Sequence, residues 1–462
     1  MTQLDASFRD PSGFVFSRDG TLYRQVNRVF AAEYDAAVSS GLYDELARER
    51  LLVPHEAVDV ALAAAPDAHA VLAPERVPFV SYPYEWSFGQ LRDAALLTLD
   101  VQLRALDRGF VLRDASAYNV QFAGGRPIFI DTLSLGRYED GAPWAAYKQF
   151  CEHFLVPLAL MALRDVRCGL MLREHIDGVP LELGSRLLPG RTWADPRLLL
   201  HVHLHARSQR KYAEAQVSAV VGGRRLEKRQ LAALVGNLRN AVARLDWTPA
   251  GTQWADYVGA TNYSDAAARR KAELVAAFLG RVRPATVWDL GANTGVYSRV
   301  ARDAGASVVA FDIDAAAVER NYRAVRSQDE RNVLPLVLDL ANPSPGLGWA
   351  HRERMSLEER GPADAVLALA LVHHLSIAGN VPLDRVARYL ARLGGALVIE
   401  FVGKDDSQVR RLLRNRPDIF PDYTQPGFER AFGRHFVIEA CERVGDAERW
   451  LYLMRPTRAR HA

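Results

Sequence analysis

Cysteine is scarce: the 462 residues hold three, Cys151, Cys168 and Cys441. They lie far apart, with neither the density of a secreted disulfide framework nor metal-ligand spacing, and they suit a reducing cytosol. A basic-then-apolar signal pattern is also missing from Met-Thr-Gln-Leu-Asp at the start, so no leader is expected. The longest apolar stretch, Phe154 to Leu163, is too short to cross a bilayer, so no membrane is expected. Charge of one sign is lacking as well. Lys and Arg number 58 against 55 Asp and Glu, a net of +3, so nothing argues for nucleic acid as an obligatory partner. The basic clusters Arg224-Arg225-Leu-Glu-Lys228-Arg229 and Arg455 to His461 read as a solvated helix face and a frayed tail. The expectation is a cytoplasmic protein, long enough for two domains, whose oligomeric state the sequence does not disclose.

Two common nucleotide signatures are absent too. No Gly-Lys-Ser/Thr closes a P-loop, and no Gly-x-Gly-x-x-Gly opens a dinucleotide site. What stands instead is Val287-Trp-Asp-Leu-Gly-Ala-Asn-Thr-Gly295, followed by Ser307-Val-Val-Ala-Phe-Asp-Ile-Asp314. A short apolar run ends on Asp289 and breaks into a turn carrying Gly291 and Gly295. A helical segment follows, then a second apolar run ending on Asp312. Glycine permits unusual dihedrals and close backbone approach. A helix N-terminus offers free amides, and an acid at the end of the second strand accepts ribose hydroxyls. The pattern Asp-x-Gly-x-Asn-x-Gly resembles motif I of class I S-adenosylmethionine-dependent methyltransferases. Asn293 stands where that family usually has a glycine, and asparagine tolerates the left-handed region.

From about Ala285 the sequence alternates strand-like and helix-like runs, which implies a mainly parallel sheet. Expected strands are Thr286–Leu290, Ser307–Phe311, Val333–Leu338, Ala365–Ala370 and Ala396–Phe401, with helices at Val296–Ala304 and Ala315–Arg326. The last two runs, Phe436–Cys441 and Trp450–Met454, are joined too briefly for a crossover helix and should be antiparallel. A parallel sheet closed by an antiparallel hairpin is similar to the Rossmann-like class I methyltransferase fold.

That resemblance implies S-adenosyl-L-methionine as cofactor, held by Asp289, Gly291, Asn293, Gly295, Asp312, Asp339 and Leu340. Asp339 would read the adenine amino group, or it is a loop acid or helix cap. His373 or His374, after the fourth strand, is a candidate general base. The alternative is that one caps a helix while the other packs against the cofactor. Glu400 and Tyr423, and the aromatic stretch with Trp254, Tyr257, Asn262 and Tyr263, are candidates to line or cover an acceptor pocket.

A second pattern lies upstream: Arg113-Asp114-Ala-Ser-Ala-Tyr-Asn119, then a Gly-Gly turn and a strand ending on Asp131. It resembles the catalytic loop and metal-binding acid of protein kinases and aminoglycoside-phosphotransferase-like enzymes. In that resemblance Asp114 stands at the catalytic base, and Asn119 and Asp131 at the metal ligands. The lead-in agrees, with a β-hairpin turning at Asp19-Gly20, one helix over Ala31 to Leu52, and a long helix from Gln90 to Arg108. The departures are a missing glycine-rich loop, a missing Val-Ala-Ile-Lys strand, Arg24 nearest the place of the lysine, and Leu112 in place of the usual histidine. They favour a domain that binds a ligand, positions an acceptor or only scaffolds over a catalytic kinase. His201-Val-His203-Leu-His205 finds no carboxylate or cysteine to complete a ligand set, so it is taken as structural and no metal is expected.

The expected organisation is an α+β kinase-like two-lobed domain over 1–245, with a small lobe near 1–80 and a large lobe near 85–245. An α/β methyltransferase domain follows over 246–462. The pairing resembles bacterial proteins described as nodulation-related methyltransferases. The implied function is methyl transfer to a small-molecule, glycan or metabolite acceptor. A bifunctional methyltransferase/phosphotransferase and a non-catalytic cofactor-binding scaffold are the alternatives.

Overall fold

The computed structural model describes residues 2–208, 227–249, 265–414, 417–445 and 448–457. Contacts divide the chain into two compact units. The first is Met1–Thr248 with Gly348–Arg354, and the second is Pro249–Leu347 with Met355–Ala462.

In the first unit, five antiparallel strands pair in the order β1-β2-β3-β5-β4. They are β1 Thr2–Gln3, β2 Gly13–Arg18, β3 Thr21–Asn27, β4 His55–Val58 and β5 Ala68–Pro74. The expected hairpin is present, and Asp19 and Gly20 both take positive φ, as a tight two-residue turn of this hand requires. The single helix expected over Ala31 to Leu52 is instead two, Ala31–Ser39 and Leu42–Arg48. Gly41, at φ 70, breaks the run because only a left-handed residue ends the first helix there. The long helix is Phe88–Asp107. Ser87 Oγ accepts the Gln90 amide while Gln90 Oε1 accepts the Ser87 amide, so one reciprocal pair satisfies the helix start.

Beyond that helix come the short strands β6 Phe110–Leu112, β7 Val120–Ala123, β8 Arg126–Phe129 and β9 Leu135–Arg137. β7 pairs with β8 across Gly124-Gly125, and β6 with β9. Residues of Gly348–Arg354 complete this unit. Buried Glu353 accepts from Arg9 Nη2 at 2.7 Å, and the Arg354 guanidinium lies 4.0 Å over the Tyr118 ring.

The second unit is a seven-stranded sheet in the order β12-β11-β10-β13-β14-β16-β15. The strands are β10 Thr286–Leu290, β11 Ser307–Asp312, β12 Val333–Val337, β13 Ala365–Ala368, β14 Leu397–Val402, β15 Phe436–Arg443 and β16 Arg449–Pro456. β10 to β14 are parallel; β16 runs antiparallel to both β14 and β15. The parallel strands read as continuous apolar runs because helices cover both faces, and every residue of β13 and β14 is buried. β15, at the edge, exposes Glu439, Glu442 and Arg443, charges that discourage pairing with another chain.

The chain winds outward from β10 through β11 to β12, then returns to β10's other side as β13. The order reverses between β10 and β13, and in open α/β sheets ligands bind outside the carboxyl ends of strands at such a reversal.

Candidate functional site

The turn after β10 is shaped by its own hydrogen bonds. Gly291 and Ala292 donate to the Phe311 carbonyl at 2.8 and 2.9 Å, and Gly295 donates to Ala292 O at 2.8 Å. The Asn293 amide reaches Asp312 Oδ2 at 2.7 Å, and Asn293 Oδ1 accepts the Thr294 amide at 2.8 Å. Gly291, Asn293 and Gly295 have φ of 79, 50 and 81. Asparagine thus does hold a left-handed position in the turn. The amides of the turn are spent internally; the first turn of the helix Val296–Asp303 supplies the outward donors.

The two glycines answer to different neighbours. A Cβ on Gly291 would meet nothing nearer than Leu371 at 3.4 Å, ordinary contact. A Cβ on Gly295 would come within 2.7 Å of Asn321 and of Arg299, which donates to the carbonyls of Thr294 and Gly295 and pairs with Glu330. Gly295 is therefore required by packing against the helix Ala315–Ser327. Gly295→Ala should cost about 2 kcal/mol, combining left-handed strain with displacement of Arg299. Thermal unfolding should show its midpoint about 5 °C lower, against a smaller fall for Gly291→Ala, which carries only the backbone term.

Asp289 is the penultimate residue of β10, and Asp312 ends the adjacent parallel strand β11. Asp289 Oδ2 accepts the Ser298 hydroxyl at 2.6 Å. Asp312 accepts the Asp314 amide on Oδ1 at 2.8 Å and the Asn293 amide on Oδ2. Each oxygen keeps a lone pair for a further donor. Burial pushes both carboxyls up to about 6, against the pull of those hydrogen bonds.

Asp339 follows β12 and is half-buried; its Oδ1 accepts the Ala341 amide at 2.8 Å, so the loop uses one of its oxygens. Leu340 is half-buried beside it. Together, Asp289, the glycine turn, Asp312 and the Asp339 loop stand at the carboxyl ends of β10, β11 and β12.

His373 and His374 follow β13, beyond Ala370 with its φ of 50. Their rings lie 4.1 Å apart. His373 is 1 % exposed, and neither ring nitrogen has a hydrogen-bond partner among the described residues. Burial, then the neighbouring His374, Arg449 and Lys271, lowers the His373 ring well below the ordinary histidine range. Burial alone brings His374 down to about 4.

Glu400, within β14, belongs to a buried ionic chain. Lys271 Nζ lies 2.7 Å from Glu400 Oε2, and Arg449 Nη1 lies 3.4 Å from Glu400 Oε1. Arg449 Nε lies 2.8 Å from Asp406 Oδ2. Sequence reasoning missed Lys271 and Arg449. Lys271 sits in Arg-Arg-Lys on an amphipathic helix, where it looks solvated, and only its contact with a fully buried Glu400 marks it. Tyr423 is core: its hydroxyl donates to Val402 O at 3.0 Å and its ring packs 5.2 Å from Phe401. Trp254, Tyr257, Asn262 and Tyr263 lie outside the described residues.

In the first unit, Asp114, Asn119 and Asp131 do converge. Asn119 Nδ2 donates to Ser134 Oγ at 3.3 Å, and Ser134 Oγ donates to Asp131 Oδ2. Burial raises the Asp114 carboxyl, and Asp131 adds to the rise. Arg24 on β3 forms an ion pair with Asp131 Oδ1, which also accepts the Leu133 amide at 3.2 Å. Two histidines of the 201–205 segment, His201 and His203, are satisfied by neutral partners. His201 meets Tyr147 and Asn237, and His203 meets Ser185 and Thr192, all within 2.9 Å.

Residues 263–445 match a family model described as methyltransferase domain, and the enzyme is an S-adenosylmethionine-dependent methyltransferase. Over 465 aligned residues the chain is 39% identical to nodulation protein NoeA of Rhizobium meliloti (strain 1021), across 97% of this chain and 95% of that protein; it belongs to the same family. Among solved structures, it is similar to magnesium protoporphyrin IX methyltransferase (ChlM) from Synechocystis PCC 6803 with bound SAH. There the identity is 17%, over 41% of this chain and 84% of that one, at a TM-score of 0.30. It is also similar to the bifunctional kinase-methyltransferase WbdD, at 17% identity over 47% of this chain and 46% of that one, with a TM-score of 0.30. Likenesses this partial say nothing of what the chain acts on. No helix among the described residues is long and apolar enough to cross a membrane.

The residues present fit the cofactor. Asp312 retains acceptor capacity on both oxygens, and the space beside Gly291 is open to within van der Waals contact of Leu371.

Proposed function

We propose that the chain methylates a small-molecule or glycan acceptor, with the cofactor held at the carboxyl ends of β10 to β12 by Asp289, Gly291, Asn293, Gly295, Asp312, Asp339 and Leu340. The observation that carries this is Asp312: a buried carboxylate at the end of β11, fixed by two backbone amides, beside the turn that follows β10. In this arrangement Asp312 receives the ribose hydroxyls, and Asp289 holds the turn through Ser298. The cofactor supplies an electrophilic methyl group; the protein's part is to orient the acceptor and exclude water. His373 and His374 are the candidate acceptor-side groups, both held neutral by burial. Likeness to a nodulation protein along nearly the whole chain supports a role in nodulation. The test is mass spectrometry of metabolites from cells expressing the chain. A species gaining one methyl group, lost with Asp312→Ala, supports the proposal, and an unchanged metabolite profile contradicts it.

For residues 1–245 we propose a two-lobed kinase-like domain that no longer transfers phosphate, with 246–462 as the methyltransferase domain. The convergence of Asp114, Asn119 and Asp131 supports the likeness. The state of Asp131 supports the loss: one oxygen holds Arg24 and the Leu133 amide, the other the Ser134 hydroxyl. A magnesium ion would have to displace a guanidinium to reach it. Millimolar ATP with magnesium should leave the melting midpoint of the full chain unchanged. A rise that disappears in Asp131→Ala would instead show a working metal-nucleotide site.

A further inference from the structure

Buried polar atoms without partners are uncommon in folded proteins, and each calls for a cause. Three of them sit on one short segment after β13: both ring nitrogens of His373, and the hydroxyl of Ser376, which is 4 % exposed. This segment leaves β13 at its carboxyl end, on the side of the strand-order reversal, and it begins just beyond the left-handed Ala370. A histidine kept for packing alone would normally satisfy at least one nitrogen, as His201 and His203 do.

The charges around His373 narrow what those atoms can meet. Lys271, from the helix Asp265–Val282, and Arg449, from β16, act on the ring electrostatically along with His374. Both cations are bound to carboxylates, Lys271 and Arg449 to Glu400 and Arg449 also to Asp406, so two positive charges meet two negative ones. No surplus positive charge remains to draw a carboxylate or phosphate, and no carboxylate is among the groups acting on the ring that could counter an ammonium. A neutral ring nitrogen can accept a hydrogen bond, and a serine hydroxyl can both give and take one. An uncharged alcohol matches that set.

We propose that His373 and Ser376 form the acceptor subsite of the methyltransferase, and that the group they receive is a neutral hydroxyl, as on a sugar or polyol. This rests on the methyltransferase reading of the second unit. His373 accepts the hydroxyl proton in a hydrogen bond, and Ser376 bonds to the same or an adjacent oxygen. Burial keeps the His373 ring uncharged, with His374, Arg449 and Lys271 acting in the same direction.

The test uses the full chain and a small-molecule extract of the host cells, split by ion exchange into neutral, cationic and anionic fractions. Cofactor binding is followed by calorimetry, release of S-adenosylhomocysteine is measured with each fraction, and the melting midpoint is recorded. Wild type should release product with the neutral fraction. Ser376→Ala and His373→Asn should each bind S-adenosylmethionine within about twofold of wild type but release at least about tenfold less product, the loss of one hydrogen bond or more. Ser376→Ala should also melt no lower than wild type, since it removes an orphan hydroxyl.

The subsite is overturned if product forms only with a charged fraction or with none, if both variants keep wild-type release, or if Ser376→Ala melts lower, as a structural serine would. Failure of wild type to bind S-adenosylmethionine is a separate result: it removes the parent reading, and the subsite with it.

Discussion

Glu400→Gln lowers the thermal unfolding midpoint of the full chain by about 10 °C, the largest stability effect expected in the second unit. Glu400 is fully buried between Lys271 and Arg449. Desolvation pushes the Lys271 ammonium below its ordinary value, and Glu400 is the main influence holding it up. Taking away that carboxylate strips the buried ammonium of its principal counter-charge, and the Tyr297 ring, 4.6 Å from Nζ, and the weaker pull of Asp289 do not replace it. Removing one partner of a buried pair typically costs about 3–5 kcal/mol, and each kcal/mol moves the midpoint of a domain of this size by about 2–4 °C. The pair as a whole is worth much less than that. The double variant Lys271→Met with Glu400→Gln should therefore recover most of the loss, because it removes the stranded charge along with its partner. A double variant as unstable as the single one would mean that the cost lies in packing and not in charge.

Asp312→Asn weakens S-adenosylmethionine binding about 100-fold or more, the largest effect expected on function. Hydrogen bonds to a charged acceptor contribute about 1.5–3 kcal/mol each, and each 1.4 kcal/mol is tenfold in affinity. An amide in place of the carboxylate removes the charge and puts an NH2 against a backbone amide of Asn293 or Asp314, donor against donor. The same group sets a pH dependence. The folded carboxyl, at about 6, lies above its unfolded value near 4. Its contribution to stability is therefore fully present below about pH 4, where it is neutral in both states, and is lost as pH rises through about 6. Cofactor affinity runs the opposite way. In the proposed placement the ionised form accepts the ribose hydroxyls, so affinity should fall by roughly tenfold per unit once the pH drops below about 6, as titration of a single group requires. Asp289, also near 6, is neutralised over the same range and loosens the Ser298 contact with it.

The second unit was largely legible in the sequence because parallel strands are short apolar runs with abrupt ends. Thr286–Leu290 matches residue for residue, and the other six strands shift by one or two residues at their ends, where pairing rather than composition sets the limit. The antiparallel ending followed from a linker too short for a crossover. Gly41 shows the converse, a single glycine that splits an otherwise continuous helical pattern.

The site was legible only where backbone and side chain act together. Asn293 announces itself by its position in a turn that needs positive φ, and Asp312 by ending the next apolar run. Lys271 and Arg449 do not, since their role exists only once a helix and a strand far apart in sequence meet Glu400. Ser376 carries no sequence signal at all; only its burial without a partner distinguishes it. In the N-terminal half, spacing pointed to a meeting of Asp114, Asn119 and Asp131. What spacing could not tell is that Arg24 occupies Asp131.

The most direct test of the central claim is a calorimetric titration of S-adenosylmethionine into the full chain at neutral pH, with wild type and Asp312→Asn side by side. One molecule should bind per wild-type chain, and the variant should bind about 100-fold more weakly or not at all. Absence of binding to wild type, or equal affinity in the two proteins, would contradict the placement of the cofactor at the carboxyl ends of β10 and β11.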